Sequence, residues 1–233
     1  MYTTTRTHNN ASCVSPQFDP IIRCLVNESM SKVTPVVTKD TNIAHDWAIT
    51  ILICGNTDKL TGTVTLDEEK LSKALDVYIH VGSYIPMIFG TNGAQLALVG
   101  RGRIIAAAKH SDWLRGRKYV EQLRPPSVNE LLLSNDGDHI LEGSVTDFFV
   151  VTQRGEKSAD VKESTYSSFE VQTAPLGDGV LSCCYIRQLV IEVCLEKGIP
   201  VREVAPSWSM REWREEAFVT SQLHCLRRDH SWH

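Results

Sequence analysis

No stretch of the 233 residues is apolar for long enough to cross a bilayer, which takes about 18–20 consecutive apolar positions, so no membrane partner is expected. Net positive charge is missing too. The formal charge is −4 and the isoelectric point about 6.1, which leaves no basic field to hold nucleic acid or an anionic lipid surface. The opening "MYTTTRTHNN" lacks the apolar core of a secretory signal. Its threonine-rich, acid-poor letters leave a plastid transit segment as the alternative to a cytoplasmic protein. There is no disulfide framework: the seven cysteines are odd in number and irregular in spacing, as expected of reduced thiols. No zinc spacing appears among His224, Cys225, His230 and His233, with Cys183 and Cys184 upstream, so no metal site is expected. Internal repeats are absent as well.

What remains is a globular composition, 42% hydrophobic. "DPIIRCLVNESMSK" (Asp19–Lys32) reads as an amphipathic helix. "WAITILIC", "LTGTVTL", "LDVYIHVG" and "QLALVG" are short runs bounded by Gly, Asn and Asp, the pattern of strands. "DEEKLSKAL" between them reads as a helix. "IIAAAK" (Ile104–Lys109) looks like a buried strand ending in an amine. "HSDWLRGRKYVEQL" then reads as a helix with Asp112 as its cap, and "RPPS" stops it. "NELLLS", "NDGD" and "HILEGS" spell strand, turn, strand. "TDFFVVTQ" and "FEVQTAP" are further strands flanking a charged loop. "CYIRQLVIEVCLEKG" is an amphipathic helix with a glycine stop. A strand "IPVREVAP", a short helix "SMREWREEA" and a strand "FVTSQL" follow. The fold class is α+β, with a seam expected near Gly100–Arg103.

Four features carry chemistry in chain order: Lys109 after its apolar run, Glu142 in "LEGSVTDFF", the glycine-rich approach to a helix in "GVLSCCYIR", and Thr220–Ser221 in "FVTS". This ordered set resembles the fold-type IV pyridoxal-phosphate (PLP) enzymes: branched-chain and D-amino-acid aminotransferases and aminodeoxychorismate lyase. "EGSVTDFFVV", "FEVQTAP" and "REVAPSW" look closest to the plant D-amino-acid-aminotransferase-like branch. The likeness runs roughly from Gly100 to Leu223.

The resemblance implies a small N-terminal α/β domain, incomplete, over residues 1–100 and a larger β-rich PLP-binding domain, shortened at its C-terminus, over 101–233. It makes Lys109 the Schiff-base lysine and, once freed, the proton shuttle at the substrate Cα. Glu142 becomes the carboxylate that keeps a proton on the pyridine nitrogen. Tyr185 and Ile186 become the helix-start amides that meet the phosphate, and Thr220 and Ser221 its further contacts. The implied cofactor is pyridoxal 5′-phosphate and the substrate a small amino acid or 2-oxo acid, in a homodimer. A lyase and a non-catalytic remnant are the alternatives. Arg187, in the first turn of an apolar helix, reads as structural.

The chain departs from the family pattern in several places. "ASCV" runs straight into "SPQFDPII", where the family carries an arginine that clamps the phosphate, and Arg6 belongs to another motif position. The motif "GVLPG-x-x-R" has become "GVLSCCYIR", and Asp147 stands where the family has Asn.

Overall fold

The computed structural model describes residues 18–37, 46–60, 68–84, 93–154, 168–182, 184–221 and 224–229. The chain divides into two compact units, residues 1–85 and 86–233. The first contains α1 (Asp19–Val37), β1 (Asp46–Gly55), α2 (Thr57–Leu60), α3 (Glu68–Ala74) and β2 (Leu75–Tyr84). β1 and β2 pair antiparallel in one unbroken register, from Asp46 opposite Tyr84 to Gly55 opposite Leu75. The strand expected over Leu60–Leu66 is not found at its start, because Thr57–Leu60 is a helical turn; the rest lies outside the described residues.

The second unit holds β3 (Leu96–Leu98), α4 (Ser111–Gln122), β4 (Glu130–Ser134), β5 (Ile140–Gly143), β6 (Asp147–Gln153), β7 (Phe169–Thr173), α5 (Tyr185–Glu196), β8 (Val201–Glu203), β9 (Glu216–Ser221) and β10 (His224–Asp229). They form a three-stranded sheet, β3-β4-β5, and a five-stranded one, β10-β9-β6-β7-β8. The division falls before the seam expected near residue 100 because β3 pairs parallel with β4, Leu96 opposite Glu130.

Alternation along β6 joins the layers. Phe148 and Val150 face one way, packing with Leu96, Leu132, Ile140 and Val219 between the two sheets. Phe149 faces the other way, with Val171, Cys194 and Val190 beneath α5, as a period of two requires. Its ring stacks on Phe218 with centroids 5.0 Å apart. Phe149 is fully buried, so Phe149→Ala is expected to remove about 3–5 kcal/mol of stability, read as a lower midpoint in urea unfolding.

The hairpin between β4 and β5 forms where its turn residues predict. Gly137 takes φ 84°, and Asp136 Oδ1 accepts the amides of Asp138 at 2.9 Å and His139 at 2.8 Å. Three local expectations fail. Ile104–Lys109 is not a buried strand: it is a bend and turn in which Ile104 lies fully in solvent and Ile105 is exposed. Its Ala106 carbonyl accepts from the Ser182 amide at 3.0 Å, a loop contact rather than a strand ladder. The cap of α4 is His110 rather than Asp112; its imidazole accepts from the Asp112 amide. The short helix expected in "SMREWREEA" shrinks to a 3-10 turn over Arg211–Trp213. No helix among the described residues is long and apolar enough to cross a membrane.

Candidate active site

Glu142 sits on β5 with all four strand residues buried. A carboxylate there requires compensation, and two donors supply it. Arg103 Nε donates to Oε1 at 2.5 Å, and the Leu181 amide donates to Oε2 at 2.9 Å. The Arg103 guanidinium also lies over the Trp113 ring, 4.5 Å from its centroid, a cation–π contact that covers the pair. Burial pushes the Glu142 carboxyl above its usual range; the charge of Arg103 and the Leu181 amide pull it back.

Arg103 reaches Glu142 because two backbones cross closely. The Arg103 amide donates to Gly179 O at 3.0 Å. A Cβ on Gly102 would stand 2.6 Å from Leu141 Cδ1 and 2.9 Å from Gly179 Cα. Gly179 itself has φ 106°, a conformation open to glycine. Gly102→Ala therefore has to push these backbones away from each other and is expected to cost about 1–3 kcal/mol, measured by thermal unfolding.

The loop after Glu142 is tied down by a second buried carboxylate. Glu130 Oε1 accepts from the Ser144 amide at 2.7 Å, the Ser144 hydroxyl at 2.8 Å and its neighbour's amide, Leu131 N, at 3.1 Å. Gly143 lies against Thr146 Oγ1 and Glu130 Oε1, so a Cβ has no room there.

The end of the site suited to a phosphate is built around Asp147. Asp147 and Thr220 are direct partners across β6 and β9, and Thr220 is buried. The Thr220 hydroxyl donates to Asp147 Oδ2 at 3.1 Å. The Cys184 thiol donates to the same oxygen at 2.9 Å. Cys184 is the N-cap residue of α5 and makes no side-chain cap bond; its sulfur lies beside the Ile186 and Arg187 amides, at a helix start where N–H groups converge. Burial and the Asp147 charge push the Cys184 thiol up to about 11, so at neutral pH it keeps its proton and acts as a donor. Burial likewise pushes the Asp147 carboxyl up; the bonds from Cys184 and Thr220, then the charges of Arg187 and Lys109, draw it down.

Thr220 and the residue that starts α5 meet at Asp147; the charges of Lys109 and Glu142 are felt at longer range, with no direct bond between either and Asp147. Lys109 itself is exposed in its turn, so the burial expected from the run before it is not provided. Ser221 is half-buried at the end of β9. Arg187 is buried and structural, donating to Ala174 O at 2.6 Å and Glu203 Oε2 at 2.8 Å. Arg103 and Glu130 carry no mark in the sequence. Arg103 meets Glu142 across 39 positions and Glu130 meets Ser144 across 14, and no local spacing singles them out.

The residues present suit PLP at its ring end: a buried, fixed carboxylate beside an arginine, of the kind that holds a protonated ring nitrogen. At the other end the amides of the helix start and the Thr220 hydroxyl suit a phosphate, while Asp147 and the Cys184 sulfur stand among them.

No family model and no curated protein matches the sequence. Solved structures do. A branched-chain aminotransferase from the archaeon Thermoproteus uzoniensis, with norvaline, superposes with a TM-score of 0.62 at 18% identity, over 88% of this chain and 63% of that one. A structure assigned as a 4-amino-4-deoxychorismate lyase from Legionella pneumophila gives 0.58 at 16% identity, over 84% and 65%. An aminotransferase from Brucella abortus bound to PLP gives 0.57 at 16%, over 88% and 67%. The chain thus spans less than two thirds of the length of the first two. Its α+β architecture is the fold of these fold-type IV aminotransferase and lyase structures.

Proposed function

We propose that the chain is a PLP-dependent enzyme moving an amino group between a small amino acid and a 2-oxo acid. The observation that carries this reading is the buried Glu142 carboxylate, fixed by Arg103 and the Leu181 amide, in a fold shared with an aminotransferase bound to PLP. Bound there, PLP supplies an electron sink for the pair left at the substrate Cα when its proton departs. Glu142 keeps a proton on the ring nitrogen, and Arg103 holds Glu142 in its charged form and in place. The Lys109 amine attaches the cofactor and, when released, carries the proton at Cα. The Tyr185 and Ile186 amides with the Thr220 hydroxyl hold the phosphate, and Ser221 adds to that contact. A homodimer belongs to the same proposal.

A lyase of the aminodeoxychorismate type is the second reading, supported by the Legionella likeness; Lys109 and Glu142 serve both. The Asp147 carboxylate at the phosphate end favours a third reading, a non-catalytic form that retains PLP poorly.

The test is a PLP titration followed by visible absorption. The proposal expects a saturable band of lysine-bound cofactor. A protein that stays colourless in excess PLP supports the non-catalytic form. With D-alanine or a branched-chain amino acid, product formation that depends on added 2-oxo acid marks a transaminase. Pyruvate release from aminodeoxychorismate without an oxo acid marks the lyase.

A further inference from the structure

A phosphate dianion is held by groups that give hydrogen bonds or positive charge. In this chain one of those groups, the Thr220 hydroxyl, and the thiol at the cap of the adjoining helix already serve an anion of the protein's own. Asp147 Oδ2 takes the Thr220 hydroxyl at 3.1 Å and the Cys184 thiol at 2.9 Å, and Cys184 sits at the cap position of α5. Asp147 is 5% exposed, so solvent does little to screen it from an anion arriving at the helix start.

We propose that Asp147 is a built-in competitor for the cofactor's phosphate, so that the chain takes up a phosphorylated ligand together with one proton on the Asp147 carboxyl. This rests on the reading of the site as a PLP site and names how its loading is regulated. The groups facing Asp147 are the Cys184 thiol and Arg187 from α5, the Thr220 hydroxyl from β9, Lys109 from the turn before α4, and Glu142 from β5. Lys109 is also the residue that attaches the cofactor.

The sign follows from linkage. A carboxyl that is ionised in the free protein and protonated in the complex makes binding weaken as pH rises, about tenfold per unit, between its free-state and bound-state pKa values. An ordinary phosphate site behaves oppositely. The phosphate loses its second proton near pH ~6, and donors prefer the dianion, so affinity rises to that point and then levels.

The experiment compares equilibrium binding of PLP and of pyridoxal, which lacks the phosphate, from pH 5 to 9, in the wild-type chain and in Asp147→Asn. Comparing the ratio between wild type and Asp147→Asn cancels the lysine chemistry and the internal hemiacetal that free pyridoxal alone forms. The expected wild-type ratio falls by about tenfold per unit above pH ~6. In Asp147→Asn the ratio levels there, and at pH 8 PLP binds at least about tenfold tighter than to wild type, while pyridoxal affinity moves less than about twofold. Equal ratios with the same pH course in both proteins overturn the inference and leave the PLP reading standing. Absence of binding of either ligand by either protein at every pH overturns both. If Asp147→Asn does not fold, the wild-type ratio alone decides: a fall above pH 6 supports the inference and a level course overturns it.

Discussion

Replacing Glu142 with glutamine is expected to cut amino-group transfer by about 10²–10⁴-fold and to destabilise the cofactor-free chain by about 3 kcal/mol. The two effects have separate causes. Glutamine has nearly the shape of glutamate but no charge, so it cannot hold a proton on a ring nitrogen, and the electron sink weakens. It also leaves Arg103 buried without its counter-charge. The two side chains are only 9% and 4% exposed, and removing one partner of such a pair costs more than the pair contributes. Urea unfolding of the apo chain measures the second effect with no cofactor present. Replacing Arg103 with methionine in the same chain should recover some of the lost stability and none of the turnover. A Glu142→Gln protein as stable and as active as wild type would show that the carboxylate serves neither end.

Lys109→Ala carries the other large effect, with the opposite balance. Lys109 is exposed, so stability should move within about 0.5 kcal/mol. Turnover should fall by about 10⁴-fold, and the visible absorption of bound cofactor should vanish, since the proposed function gives covalent attachment and proton transfer to this one amine. Retained absorption in Lys109→Ala would move the attachment to another lysine.

Much of this site follows from local sequence. The Asn135–Asp138 turn sets the hairpin that delivers Glu142 to a buried strand end, and its Asp136 carboxylate organises the turn through neighbouring amides. The α5 stretch ends where Gly198 takes φ 68°, and its first-turn Arg187 pairs with a carbonyl and a carboxylate. The features that are not legible depend on distant partners. The Arg103–Glu142 bond spans 39 positions, and nothing near Arg103 announces it. The apolar letters of Ile104–Ala108 suggest burial, but the segment forms a bend and turn that leaves Ile104 and Ile105 in solvent. Asp147 is visible in the sequence as a change from the family's asparagine; that its carboxylate collects both Cys184 and Thr220 depends on the pairing of β6 with β9. Local rules thus place the elements, while burial and ion pairing depend on which elements meet.

The proposed function places one PLP-binding amine beside a fixed carboxylate. Incubation of the chain with PLP near pH 6, reduction with borohydride and mapping of the modified peptide by mass spectrometry should find one phosphopyridoxyl group per chain, on Lys109, formed at PLP concentrations that leave the other lysines unmodified. Adducts scattered over the surface lysines, with Lys109 no more reactive than the rest, would contradict it.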